Sequence, residues 1–200
     1  MPTEGTGLVS TTCEDVGVEA DAERWNGRYS GRLTGDPSMP KGLGGVEVER
    51  GLCLDVACGL GEQSLWAATN GFEVIAVDAS DVAITALNSA ALRLGVRDRI
   101  DSRVVDLDEG LPADAANSCS LVICQRFRDP RLYEHLVYML QPGGVLVVTV
   151  LSSVGLDAEP GPFHAPPGDL ICSFRTFDDL EVERHVELEG EATLIGRRRA

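Results

Sequence analysis

The chain has 200 residues, of which 44% are hydrophobic and 24% charged, which suits one soluble-type domain with a sizeable core and excludes a low-complexity polymer. No apolar run reaches the roughly 20 residues that cross a bilayer as a helix. The formal net charge of −15 repels a polyphosphate backbone and argues against DNA or RNA as a general partner.

Residues 1–20 carry Gly, Thr and Glu without apolar periodicity and read as a mobile tail. They lack a basic stretch followed by an apolar one, so a secretory leader is not expected and the cytoplasm is. In "DAERWNGRYSGR", Trp25 and Tyr29 are four apart and share a face if the piece is helical. Residues 31–45 are rich in Gly and Pro and read as a loop. From there the pattern is regular. Strands are expected over 52–57, 72–77, 100–105, 120–124 and 145–151. Helices are expected over 62–70, 80–94 and 130–140, with Ser80 as an N-cap, Gly95 as a stop and "QPGG" at 141–144 as a turn. Apolar strands alternating with helices indicate a parallel sheet covered on both faces. After a Pro-rich loop, residues 169–174 suit a short helix, and 180–188 and 192–198 a terminal antiparallel hairpin. The organisation expected is a single domain over 21–200. It comprises a cap segment at 21–45, a core at 50–151 and an acceptor-side loop with hairpin at 152–200.

Two residue types exclude further classes. Lys41 is the only lysine, and it lies in "PSMPKGLGG", so neither a P-loop nor a pyridoxal-phosphate site is present. Cys13, Cys53, Cys58, Cys119, Cys124 and Cys172 form no C-x-x-C pair and no zinc spacing, and no metal triad is visible. Cys53, Cys119 and Cys124 read as reduced core residues.

In an open α/β sheet, ligands bind beyond the carboxyl ends of the strands. Those ends carry Asp55 with the turn "ACGLG", then Asp78, then Asp106-Leu107, then Gln125-Arg126. Asp78 follows the glycines by about 20 residues, where an acid takes ribose hydroxyls. Gly59 and Gly61 are followed by Ser64 in place of a third glycine, and Glu62 opens the helix and would repel a pyrophosphate. A nucleoside without phosphates is therefore favoured over NAD. S-adenosylmethionine fits: Asp55 can answer its amino group, Asp106 its adenine amine and the Leu107 amide its ring nitrogen.

"LDVACGLGEQSLWAATNGFEVIAVDAS" resembles the first two motifs of class I S-adenosylmethionine-dependent methyltransferases, and "VVDLDEGLP", "SLVICQRF" and "LQPGGVLVV" resemble later ones in order and spacing. "RWNGRY" resembles the W-x-x-R-Y element of the branch that includes tellurite and thiopurine methyltransferases. The resemblance implies a Rossmann-like, doubly wound, seven-stranded, mostly parallel sheet in the order 3-2-1-4-5-7-6. It implies cofactor contacts from Arg28, Asp55, Ala57, Cys58, Gly59, Gly61, Asp78, Ala79, Asp106, Leu107 and Gln125, with Arg28 at the cofactor carboxylate. Trp25 and Tyr29 are substrate-side candidates that either cover the cofactor, or meet its sulfonium by cation–π attraction, or simply dock the first helix.

Methyl transfer from a sulfonium is an in-line displacement, so the protein mainly aligns the acceptor and excludes water. No residue declares itself a base. His164, in "PGPFHAPPG", is an acceptor-side candidate with Arg126, Phe127 and Arg128. "CQRFRDP" matches no nucleic-acid methylating motif, which favours a small-molecule acceptor. The chain is expected to act without a membrane partner, as a monomer or a dimer. A non-catalytic cofactor-binding module and an NAD-dependent oxidoreductase are the alternatives.

Overall fold

The computed structural model describes residues 22–157 and 159–200. The expected tail at 1–20, with Cys13, lies outside them. The elements run α1 (22–29), β1 (Leu52–Val56), α2 (Glu62–Thr69), β2 (Glu73–Asp78), α3 (Asp81–Leu94), β3 (Ile100–Val104), β4 (Cys119–Gln125), α4 (Tyr133–Met139), β5 (Leu140–Leu151), α5 (Asp169–Phe174), β6 (Leu180–Leu188) and β7 (Glu191–Arg198). They form one seven-stranded sheet in the order β3-β2-β1-β4-β5-β7-β6. β1 to β5 pair in parallel, and β7 runs antiparallel to both β5 and β6. This is the class I order and the doubly wound architecture read from the motifs.

Period-two alternation explains the layers. Leu54, Val56, Val122, Cys124, Leu146 and Val148 face one core with Tyr133 and Leu136 of α4 and Phe174 of α5. Cys53, Leu121, Ile123, Val145 and Val147 face the other, against Leu65 of α2 and Leu87 of α3. Both faces are covered, so the central strands are apolar throughout. In α3, Ala83, Ile84, Leu87, Ala90 and Ala91 make the buried stripe of a 3.6-residue period.

Local signals set the boundaries. Ser80 Oγ accepts the Ala83 amide at 3.1 Å, and Gly95 closes α3 at φ 68. The hairpin turn places Glu189 at φ 52 and Gly190 at φ 80, the primed geometry that matches strand twist. Residues 141–144 bulge out of β5 between the pairs Cys119–Leu140 and Leu121–Val145, with Gly143 at φ 80. The expected helix at 130–140 begins as a 3-10 turn, Pro130–Leu132, capped by Asp129.

Candidate functional site

The site starts from the turn after β1. Ala57, Gly59 and Gly61 all adopt positive φ, at 53, 54 and 84. Glycine does so freely, whereas Ala57 carries strain. The turn is fixed by Cys58 N donating to Val77 O at 3.0 Å and Gly61 N donating to Cys58 O at 2.9 Å. Only glycine fits at 61, because a Cβ there would overlap the Leu87 side chain.

The strand-end acids gather beside this turn. Asp55 is 2% exposed, and Ser64 Oγ donates to its Oδ2 at 2.5 Å. Burial pushes the Asp55 carboxyl up to about 7, and the Ser64 bond offsets part of that rise. Asp78 accepts the Gly59 amide at 2.8 Å on Oδ2 and the Ser80 amide at 2.9 Å on Oδ1. Burial raises the Asp78 carboxyl too, against those two bonds. Asp78 therefore ties β2 to the glycine turn while keeping lone pairs for a ligand. Ala79 follows it, half-buried. Asp106 Oδ1 accepts the Asp108 amide at 2.9 Å and caps the turn that Leu107 opens. Its other oxygen, Oδ2, is buried without a hydrogen-bond partner among the described residues, as is Gln125 Nε2 at the end of β4. Two orphaned polar atoms on one edge of the sheet fit a polar ligand.

The cover comes from α1. Asn26 Oδ1 accepts Ser80 Oγ at 2.6 Å, which pins α1 beside Asp78. A Cβ on Gly59 would lie 2.9 Å from the Tyr29 hydroxyl, so Tyr29 roofs the glycine turn. Burial, helped by Asp78, pushes the Tyr29 phenol up to about 12, which makes it a neutral donor at physiological pH. Trp25 stacks on Tyr29 with centroids 5.9 Å apart, and Arg28 lies 5.5 Å over the Trp25 ring. Arg24 stands 5.6 Å from Trp25 and 5.9 Å from Phe163. Trp25 thus stacks within its own helix and lies beside Arg24, which faces Phe163 of the Pro-rich loop.

On the acceptor side, Arg126 is exposed and adopts φ 60, with its amide donating to Thr149 O at 2.6 Å. Phe127 packs half-buried against the α4-side core. Arg128 is held by Asp169, with Nη2–Oδ2 at 3.0 Å. His164 turns Nδ1 onto its own loop, accepting the Gly161 amide at 3.0 Å. Cys58 is buried, and burial raises its thiol well above the ordinary range, so it acts as a small filler rather than a nucleophile.

Three contacts were beyond sequence reasoning. Glu62 accepts the Gly35 amide at 3.2 Å, so its carboxylate anchors the 31–45 loop over the start of α2. Lys41 and Glu191 pair at 2.5 Å across 150 positions. Arg126 joins the same carboxylate at 3.2 Å. A groove of about 740 Å³ lined by Val48, Trp66, Phe72 and Arg197 opens at the opposite edge of the sheet, away from these groups.

Residues 53–144 match the family profile described as a methyltransferase domain. No curated protein matches the chain in sequence. Among solved structures it is similar to TehB from Haemophilus influenzae, with a TM-score of 0.62 and 18% identity over 74% of this chain and 57% of that one. It is similar to geranyl diphosphate C-methyltransferase from Streptomyces coelicolor A3(2), solved with Mg²⁺, geranyl diphosphate and S-adenosylhomocysteine. There the TM-score is 0.67 and the identity 14%, over 92% of this chain and 98% of that one. It is also similar to the [4+2]-cyclase SpnF, with a TM-score of 0.65 and 17% identity over 89% and 81% of the two chains. At these identities the structures speak for the fold, and the profile speaks for residues 53–144. The chain thus carries a methyltransferase domain over residues 53–144, set within a sheet of the class I strand order.

Proposed function

We propose that the chain transfers a methyl group from S-adenosylmethionine to a small molecule, through the residues that line the carboxyl edge of its sheet. One observation carries this reading. The buried, unpartnered Asp106 Oδ2 lies in the same row of strand ends as Asp78 and Asp55, where an adenine amine, a ribose and an ammonium follow one another. When bound, the cofactor supplies a methyl group on a positively charged sulfur. The chain does the rest. Asp78 takes the ribose hydroxyls, Asp106 with the Leu107 amide takes the adenine edge, and Asp55 takes the ammonium. Ala57, Cys58, Gly59 and Gly61 let the backbone approach, and Arg28 answers the carboxylate. Tyr29 and Trp25 exclude water from above. Arg126, Phe127 and His164 bound the acceptor side. Tyr29 cannot serve as a base at neutral pH, so acceptors that ionise readily, or that are already nucleophilic, suit this site best.

The net charge of −15 and the "CQRFRDP" segment support a small acceptor over nucleic acid. Geranyl diphosphate C-methyltransferase, by its name, fits the same class. The test is an acceptor screen over thiols, phenols, carboxylates, amines and metalloid oxyanions, read as S-adenosylhomocysteine release. Turnover on at least one class is expected. Cofactor binding with no turnover on any class would replace this reading with a cofactor-binding module. A thermal shift with NAD but not S-adenosylmethionine would replace it with an oxidoreductase.

A further inference from the structure

At the acceptor side of the sheet edge, one carboxylate holds two cations. Glu191, at the start of β7, is 19% exposed in its side chain, and it meets Lys41 Nζ at 2.5 Å and Arg126 Nε at 3.2 Å. Lys41 and Arg126 are 53% and 68% exposed, so each reaches solvent while tied to a half-hidden acid. The three groups leave a surplus of one positive charge on a chain whose net charge is −15. The cluster adjoins Gln125, which accepts the Lys41 amide at 3.3 Å on Oε1 and buries Nε2 without a partner. Arg126 is held there in a left-handed backbone conformation at φ 60, which is strained for a residue with a Cβ. Strain, surplus charge and an orphaned donor converge on one place beside the proposed cofactor seat.

We infer that Lys41 and Arg126 recognise a carboxylate on the methyl acceptor, and that Glu191 stands in for that carboxylate until the acceptor arrives. This rests on the proposed function, and it names the acceptor class. The arginine fork suits a planar carboxylate, and the lysine adds a point charge. Glu191 prevents the two cations from attracting any passing anion and sets the affinity an acceptor must exceed. Lys41 and Arg126 are binding residues here. Neither moves a proton.

The chain has a single lysine, so reductive ¹³C-methylation, which keeps the charge, marks Lys41 with one lysine resonance. The full chain with S-adenosylhomocysteine is titrated at constant ionic strength to about 50 mM with benzoate, inorganic phosphate or benzamide, a range that reveals millimolar sites. A saturable shift with benzoate and none with benzamide is expected. Glu191→Gln removes the internal competitor and should tighten benzoate by about threefold or more, whereas Arg126→Gln should weaken it by about tenfold. A linear shift equal for benzoate and phosphate, or an unchanged benzoate affinity in Glu191→Gln, overturns the inference. If Glu191→Gln does not fold, the wild-type comparison of benzoate with benzamide decides alone. Calorimetry with S-adenosylhomocysteine on the wild type separates the two levels. Retained binding with no benzoate site sinks the inference alone, and absent binding sinks the proposed function itself.

Discussion

The proposed contact between Asp55 and the cofactor ammonium makes binding depend on pH in a calculable way. Its carboxyl is buried and sits at about 7 against an ordinary value of 3.8, with burial as the cause. The folded chain therefore holds a proton that the unfolded chain has released between roughly pH 4 and pH 7. Stability contributed by this group is greatest at low pH and falls as pH rises through that window, by up to about 4 kcal/mol before compensation. An ammonium beside Asp55 favours the anion, so binding must expel the proton. The release is about 0.9 protons at pH 6, about half a proton at pH 7 and about 0.1 at pH 8. Affinity should accordingly weaken by about tenfold from pH 8 to pH 6. Calorimetry with S-adenosylhomocysteine in buffers of different ionisation enthalpy reads both quantities. Asp55→Asn should abolish the proton release, lower affinity and raise the melting temperature of the ligand-free chain at pH 8. Binding that is flat from pH 6 to 8, or proton release that persists in Asp55→Asn, would refute the reasoning.

Other outcomes follow from single contacts. Gly61→Ala places a Cβ against Leu87 at φ 84, and a loss of roughly 2–5 kcal/mol in urea unfolding is expected. Asp106→Ala should weaken S-adenosylhomocysteine by about tenfold or more while leaving the inosine analogue, which lacks the amine, nearly unchanged. Tyr133→Phe removes a buried hydroxyl with no partner and should stabilise the chain by about 1 kcal/mol, read as a higher denaturation midpoint.

The fold was legible because its signals are local. Ser80 and Gly95 bracket α3 by side-chain capping and positive φ, and both act within four residues of themselves. The apolar strands announce a sheet buried on both sides, and the strand order came with the motif resemblance. The acids Asp55, Asp78 and Asp106 were readable because topology alone brings strand ends together. Partners distant in sequence were not readable. Glu62 reads as a helix-opening acid, yet its carboxylate is occupied by Gly35, 27 residues earlier. Lys41 reads as a loop lysine, and its meaning depends on Glu191, which only the antiparallel pairing of β7 with β5 brings to the carboxyl edge of the sheet. Arg128 was an acceptor-side candidate by position, and Asp169 neutralises it. No periodicity encodes such pairs.

The most direct measurement of the central claim is calorimetric titration of the chain with S-adenosylmethionine and S-adenosylhomocysteine, repeated on Asp78→Ala. Saturable binding of both is expected, weakened by about tenfold or more once the carboxylate that would meet the ribose is removed. No heat from either compound at millimolar concentration, or equal affinity in Asp78→Ala, would contradict the account.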